Sequence, residues 1–306
     1  MRRRLAILCP GQGAQHAGMF NVLGQPADEA LLREWRLDEA LGQPLASVLA
    51  DPALQSANRI AQPLVVAATL AAWHVVREVL PAPALVAGYS IGELSAYGVA
   101  GSLDGREALR LAAARAEAMD RCKAGQPPQA MLAVSGLSAA ALAPLLPAGQ
   151  VHIAISTGAA SFVLGGRADA MPALEQALRS GGAQVTPLPV RVASHTPLME
   201  GAVQPVLELL QASIFEAPRL PVVAGISAEL VTAVDSAQRT LSRQVAQPIR
   251  WDDCMDACAE AGVDTVLELG PGAALARMFH ARFPQIACRS VADFRTVEGL
   301  RRWVVE

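Results

Sequence analysis

The chain has 306 residues, of which 52% are hydrophobic and 17% are charged, and its formal net charge is -3. This length and apolar content predict one large domain with an insert, or two domains, with a sizeable buried core, and they exclude a disordered or fibrous chain. The slightly acidic balance excludes nucleic acid as the expected partner, because a polyphosphate backbone requires a basic surface.

The N terminus carries a charged run, Met1 to Arg4, and then an apolar run over residues 5–9. The apolar run is too short for the core of a secretion signal, so we interpret it as the first strand. The sequence PGQGAQ (residues 10–15) follows it, in a position where backbone N–H groups can face a ligand. Because it lacks the third glycine of a dinucleotide fingerprint and the lysine of a P-loop, an oxyanion-binding loop is favoured over nucleotide binding.

The longest apolar stretch, residues 63–73, is followed by His74 and Arg77 and is well short of the roughly 20 residues that cross a bilayer. The sequence therefore predicts no membrane segment. The five cysteines form no C-x-x-C pair and no zinc spacing, as expected for reduced thiols in the cytoplasm, and no metal is predicted. Cys254 and Cys258 share a predicted helical face, where buried packing is the preferred interpretation.

Ser90 is the candidate nucleophile. It lies in GYSIG (residues 88–92), which matches G-x-S-x-G, follows the apolar run 84–87 and precedes a helical stretch. This is the strand, turn and helix context of a nucleophile elbow, in which a sharp turn lifts the hydroxyl clear of the sheet. An ordinary glycine-rich turn is the alternative.

The helix predicted over residues 106–122 carries four arginines. Arg110 and Arg121 have acidic residues three or four positions earlier, but Arg115 has none and projects from an apolar stripe. A buried guanidinium without a partner is costly, so Arg115 requires either a distant carboxylate or an anionic ligand.

The segment between residues 131 and 192 has its own pattern. It predicts strand 131–135, helix 138–146, strand 151–156, strand 162–164, helix 168–180 and strand 184–190. This is the order of a ferredoxin-like unit, and the loop composition of residues 124–128 supplies an entry hinge. Elsewhere apolar runs alternate with alanine-rich helical stretches, which predicts an α/β fold with a mainly parallel sheet.

A serine nucleophile needs a base, and the chain has five histidines, at positions 16, 74, 152, 195 and 280. His195 follows a predicted strand and precedes Thr196 and Pro197, an N-cap and first-turn signature that places it on a strand-to-helix loop. Three of the others lie within predicted helices or strands. His16, beside the glycine loop, is the alternative base.

Taken in chain order, PGQGAQ, GYSIGE, the arginine 25 positions after Ser90, VASHTPLM, QVAQPIRW and ELGPG resemble the malonyl-CoA:acyl carrier protein transacylase family. The resemblance covers nearly the whole chain. It implies an α/β-hydrolase-like large domain, residues 1–127 and 196–306, with a ferredoxin-like small subdomain inserted at residues 128–195. It also implies a cytoplasmic enzyme with malonyl-CoA and an acyl carrier protein as partners, a coenzyme A thioester as substrate and no permanently bound cofactor.

Carried over by position, the resemblance makes Ser90 the nucleophile and His195 the base, and it implies a ping-pong transfer through a malonyl ester of the serine. Arg115 matches the arginine that holds the malonyl carboxylate bidentately.

Three further positions match family residues that act through their backbones. Gln12 and Ile91 correspond to the two N–H donors of the oxyanion hole. Gln244 corresponds to the glutamine whose backbone carbonyl orients the histidine, which explains the lack of an obvious third acid in the sequence.

Two positions depart from the housekeeping members, which usually have histidine in place of Tyr89 and asparagine in place of Ser156-Thr157. The GYSIGE form is similar to the transacylase subunit of bacterial malonate decarboxylase, which makes that complex's carrier and subunits candidate partners. A housekeeping transacylase of fatty-acid or polyketide synthesis is the alternative. A thioesterase would leave Arg115 unexplained, and a non-catalytic docking subunit would not need the serine, histidine and arginine together.

Overall fold

A computed structural model of the chain describes residues 3–305. Met1, Arg2 and Glu306, which the sequence assigns to the charged N-terminal run and to the ends of the large domain, lie outside the described residues.

The strands are β1 Leu5–Cys9, β2 Asn21–Val22, β3 Gln25–Pro26, β4 Leu85–Gly88, β5 Gln129–Ser135, β6 Val151–Gly158, β7 Ser161–Arg167, β8 Gln184–Leu188, β9 Val222–Val223, β10 Leu230–Val231, β11 Ile249–Arg250, β12 Thr265–Glu268 and β13 Ala287–Ser290. The helices are α1 Glu29–Glu34, α2 Leu37–Leu41, α3 Leu45–Ala50, α4 Pro52–Ser56, α5 Asn58–Val76, α6 Gly92–Val99, α7 Gly105–Lys123, α8 Ala139–Leu142, α9 Met171–Ser180, α10 Glu200–Gln211, α11 Val234–Gln244, α12 Trp251–Glu260, α13 Ala274–Arg282 and α14 Val297–Val305.

The larger sheet has six strands in the order β10-β9-β4-β1-β12-β13. All of its neighbouring strands pair in parallel except β10 and β9 at one edge. Every residue of β1, β4 and β12 is buried, as expected for a parallel sheet that is covered by helices on both faces. The predicted α/β fold with a mainly parallel sheet is confirmed.

The expectation that every apolar segment is well short of a membrane span is wrong for helix α5. It extends the apolar stretch 63–73 to 19 residues and is long and apolar enough, by length and composition alone, to cross a bilayer. However, 78% of its most apolar window is buried inside the protein, and it packs against α6 and α7. A helix that is apolar all round fits the core of a large domain equally well, and its burial here assigns it to the core.

The smaller sheet has the order β11-β6-β7-β5-β8. The strand and helix order predicted for residues 131–190 is present, with β5, β7 and β6 paired antiparallel and β8 on the other side of β5. The fifth strand, β11, comes from outside residues 128–195 and pairs in parallel with β6. It is two residues long, too short to give an alternating pattern in the sequence.

The two faces of the smaller sheet have different neighbours. One face packs on α8 and α9 through a separate apolar cluster that includes Leu142 and Leu174. On the other face, Met131 and Ile155 share a cluster with Leu8 and Ala87 of the larger sheet. The smaller sheet therefore covers the region near the carboxyl ends of β1 and β4.

Candidate active site

Ser90 occupies the turn between β4 and α6, so the predicted strand, turn and helix context is confirmed. Its φ is 57°, in the left-handed region that non-glycine residues rarely adopt. Both flanking glycines are required by close approach, because a Cβ atom on Gly88 would collide with the backbone of Glu93, and one on Gly92 with the carbonyl oxygen of Cys9. The sequence thus forces a half-buried serine into the turn that follows a central strand.

His195 meets Ser90 across 105 residues of sequence. Its Nε2 lies 2.7 Å from the serine Oγ, and its Nδ1 lies 2.6 Å from the backbone carbonyl oxygen of Gln244. Because a carbonyl oxygen can only accept, Nδ1 carries the hydrogen and Nε2 is left as an acceptor for the serine hydroxyl. The imidazole is therefore in the tautomer that can remove the serine proton.

His195 is almost completely buried, with 1% of its surface exposed. Burial and, to a lesser extent, the nearby charge of Arg115 lower the pKa of His195 to about 3, although the hydrogen bond to Gln244 opposes both effects. The imidazole is consequently neutral at neutral pH, as a general base must be.

Gln244, the last residue of α11, contributes its side chain as well as its backbone. Its Nε2 donates to the carbonyl oxygen of Ser90 at 3.2 Å and to Oε2 of Glu93 at 2.5 Å, and its Oε1 accepts from Arg115 at 3.1 Å. The family resemblance predicts only a backbone role for Gln244, and the sequence predicts no role for Glu93. The one feature of the sequence that could have indicated Glu93 is that it is a single acidic residue in the otherwise apolar start of α6.

Arg115 is buried on α7, with 6% of its surface exposed, as its apolar stripe predicted. Its guanidinium donates to two neutral amide oxygens, Oε1 of Gln62 at 2.6 Å and Oε1 of Gln244. No ion pair between residues 3–305 includes it. Burial lowers the pKa of Arg115 to about 10, with the charge of Glu93 opposing, so the group remains cationic at neutral pH without a directly bound counterion.

Ser90, His195 and Gln12 line a cavity of about 450 Å³. Most of its walls are apolar. The smaller sheet supplies Met131, Ala133, Ile155, Val163 and Leu188, and Val190 follows its last strand. Apolar walls around a few convergent polar groups are typical of a small-molecule site. Arg115 lies behind the wall and is linked to it through the bond from Gln244 to Ser90.

The backbone N–H groups of Gln12 and Ile91 flank the serine from two loops. Gln12 follows β1 and lies in the cavity wall, and Ile91 is the residue after Ser90. Neither N–H donates to an acceptor within residues 3–305. Two free donors beside a nucleophile can stabilise a developing oxyanion.

The alternative base does not join this group. His16 is exposed outside the cavity wall, and its Nδ1 accepts from the backbone N of Gly18 at 3.1 Å. Thr196 is the N-cap of the helical turn Pro197–Met199, with Pro197 in its first position, as predicted, but the Thr196 hydroxyl makes no capping hydrogen bond and donates to the carbonyl oxygen of Ala193 at 2.6 Å. The acidic residue four positions before Arg121 is Glu117. It pairs with Arg59 at 2.8 Å and not with an arginine of its own helix α7.

The two positions that depart from the housekeeping pattern have different surroundings. Tyr89 lines the cavity and packs edge-on against Trp251, with ring centroids 5.4 Å apart. Ser156 is absent from the cavity wall, and its hydroxyl donates to Oδ2 of Asp252 at 2.9 Å. Only the first of the two departures therefore changes the shape of the cavity directly.

Residues 7–301 match the acyl transferase domain family. The chain is 31% identical to the malonyl CoA-acyl carrier protein transacylase of Escherichia coli (strain K12), over 89% of this chain and 90% of that protein. It is also 31% identical over 90% of its length to polyketide synthase GfsA of Streptomyces halstedii, but it spans only 4% of the length of that protein. A solved malonyl-transacylase in complex with its type II polyketide synthase acyl carrier protein matches with a TM-score of 0.89 and 27% identity, over 98% of this chain and 99% of that one.

Proposed function

This chain is an acyltransferase of the malonyl-CoA:acyl carrier protein transacylase family, and on that premise we propose that it transfers a malonyl group from malonyl-CoA to the thiol of an acyl carrier protein through an ester on Ser90. One observation carries the proposal: the hydroxyl of Ser90 lies 2.7 Å from a neutral, buried His195, in a site linked through Gln244 to a buried arginine.

In the first half-reaction Ser90 Oγ attacks the thioester carbon while Nε2 of His195 takes the hydroxyl proton. The carbonyl oxygen becomes an oxyanion, for which the N–H groups of Gln12 and Ile91 are the proposed donors. When the oxyanion collapses, the carbon–sulfur bond breaks, and the departing coenzyme A sulfur takes the proton from His195. The product is a malonyl ester of the serine.

In the second half-reaction the thiol of the carrier's prosthetic arm enters the same cavity. His195 takes the thiol proton, the sulfur attacks the ester carbon, and the serine oxygen leaves and recovers the proton. Because the free base and serine are regenerated, the two substrates react in turn, which is a ping-pong mechanism.

Arg115 is the proposed recognition group for the malonyl carboxylate. Its N–H groups donate to the neutral amide oxygens of Gln62 and Gln244. A substrate carboxylate would provide a charged acceptor with the bidentate geometry that guanidinium favours. An acetyl group lacks this carboxylate, so the arginine would select malonyl over acetyl.

For the acceptor, we propose the carrier of a malonate decarboxylase, with the other subunits of that complex as partners. The support is Tyr89, which gives the GYSIGE form and lines the cavity. The relatives support a housekeeping role in fatty-acid or polyketide synthesis to the same degree. A comparison of kcat/KM for the two purified carriers at one salt concentration decides between them, because charged docking surfaces are sensitive to salt. A preference for the fatty-acid carrier would reject the decarboxylase role and leave the transfer chemistry unchanged.

We further propose that the larger sheet with its helices is an α/β-hydrolase-like core, residues 1–127 and 196–306, and that residues 128–195 form a ferredoxin-like subdomain. The sheet order β6-β7-β5-β8 with all pairs antiparallel supports the second assignment. The enzyme is proposed to act in the cytoplasm without a permanently bound cofactor.

A chase experiment tests the transfer. The enzyme is incubated with radiolabelled malonyl-CoA, the labelled protein is isolated, and carrier protein or buffer is added. The expected result is that the label moves to the carrier and stays on the enzyme in buffer. Rapid release of labelled malonate into buffer would identify a thioesterase instead.

A further inference from the structure

Glu93 is a carboxylate that the proposed reaction steps do not use, and it is completely buried three residues after Ser90. It lies in the first turn of α6 beside apolar neighbours such as Leu94 and Ala96. A carboxylate in such surroundings is costly unless hydrogen bonds compensate for the lost water. The partners of Glu93 therefore indicate what it does.

One oxygen of Glu93 makes both of its hydrogen bonds. Oε2 accepts from the backbone N of Gly225 at 2.9 Å and from Nε2 of Gln244 at 2.5 Å, whereas Oε1 has no partner within residues 3–305. Burial raises the pKa of this carboxyl to about 7, and its hydrogen bonds and the charge of Arg115 oppose the increase. A proton on Oε1 would leave both hydrogen bonds to Oε2 in place, so the contact with Gln244 does not depend on ionisation.

This contact determines which way the amide of Gln244 faces. Its nitrogen donates to Glu93 and to the carbonyl oxygen of Ser90, which leaves its oxygen facing Arg115. If the amide turned over, its oxygen would face two acceptors and its nitrogen would face a guanidinium that only donates. The guanidinium is thus held by an amide whose orientation depends on Glu93.

We propose that Glu93 is a positioning residue for acyl selection, which acts through the Gln244 amide to hold Arg115 in the direction that the substrate carboxylate requires. The proposal rests on the proposed role of Arg115. The contact between His195 and the backbone of Gln244 has a separate support, because the backbone N of His195 donates to the carbonyl oxygen of Val245 at 2.8 Å. Loss of Glu93 should consequently disturb the arginine more than the base.

The kinetic test compares Glu93→Ala with Glu93→Gln. The alanine variant removes the acceptor, and it should lower kcat/KM for malonyl loading by up to about 10²-fold through misplacement of Arg115, while acetyl loading changes little. The glutamine variant should recover most of the malonyl loading, because its amide oxygen can accept the same two N–H groups. Equal losses for both acyl groups, or failure of the glutamine variant to recover, would overturn the proposal.

A crystal structure of Glu93→Ala gives a result that needs no activity. Oε1 of Gln244 should move away from Arg115, while the contact between His195 and the Gln244 carbonyl remains. An unchanged distance of 3.1 Å from Gln244 to Arg115 would contradict the inference.

If wild-type enzyme does not load malonyl, the proposed function fails, and this structure still decides whether Glu93 positions the amide. If Glu93→Ala does not fold, Gln244→Ala should show the same malonyl-selective loss, and equal losses there would reject the inference.

Discussion

The imidazole Nδ1 of His195 lies 2.6 Å from the main-chain carbonyl oxygen of Gln244. The proposed base is thus oriented by a group that no side-chain substitution can remove. A carbonyl fixes the tautomer as a carboxylate would, but it has no negative charge to stabilise the imidazolium that the proposed transfer would form. The low pKa of His195 agrees with this, because burial dominates and no carboxylate compensates.

Replacing His195 with alanine should slow acylation of Ser90 by roughly 10²- to 10⁴-fold, because general base catalysis is lost. The rate is measured in single turnovers with malonyl-CoA. His280→Ala, which changes an exposed histidine on α13, is the matched control and should react at the wild-type rate. A His195→Ala enzyme as fast as wild type would remove this residue from the mechanism.

Arg115→Ala should cost malonyl loading about 2 to 5 kcal/mol, the range for removing one partner of a buried charge pair. Acetyl loading should fall little, because an acetyl group offers no carboxylate. The ratio of kcat/KM for the two donors is the measurement. Arg121→Ala, an exposed arginine on the same helix, is the control for loss of positive charge and should leave the ratio unchanged. Equal losses for both donors in Arg115→Ala would mark a structural arginine.

Acylation by a donor whose acyl group is uncharged, such as acetyl-CoA, should stay constant from about pH 8 to about pH 5, because His195 has a pKa of about 3 and its imidazole remains neutral over this range. An exposed histidine would instead lose half of its activity near pH 6.5. Single-turnover acylation rates from pH 8 to pH 5 test the prediction, and a midpoint at pH 6.5 would refute it.

The same pKa shift affects the stability of the fold. Below about pH 6.5 the unfolded state binds a proton at His195 that the folded state excludes, so the contribution of His195 to the free energy of unfolding decreases as the pH falls toward 3.

Gly92→Ala should destabilise the fold by about 1 to 3 kcal/mol or more, because its Cβ would overlap the carbonyl oxygen of Cys9 and force apart the elbow and β1. Gly158→Ala is the matched control, since a Cβ there meets no atom closer than 4.0 Å and its φ is not positive. Denaturant unfolding of the two variants gives the comparison. Similar stabilities would show that the elbow has more room than the close approach indicates.

Much of the site was predictable because residues that are close in sequence determine the local backbone and burial of its side chains. The elbow follows from two glycines that bracket Ser90, and the burial of Arg115 follows from an apolar stripe without an acidic neighbour. The hydrogen-bond partners of Arg115 were not predictable, because Gln62 and Gln244 lie 53 and 129 residues away in sequence and are uncharged.

In the fold, the buried apolar strands and the order of the insert could be predicted from apolar patterns, but weakly apolar strands could not. Strand β13 has the sequence ACRS, which lacks a run of apolar residues, and it is defined by its parallel pairing with β12. The role of the Gln244 backbone was predictable only from the family resemblance of QVAQPIRW, because every residue has a carbonyl group and no residue type marks the one that is used.

The most direct test of Ser90 as the nucleophile is the mass of the peptide that contains this serine after brief reaction with malonyl-CoA and proteolysis. We expect a malonyl adduct on Ser90 that disappears when carrier protein is added, and no adduct in Ser90→Ala. An adduct on another residue, or normal labelling of Ser90→Ala, would contradict this assignment.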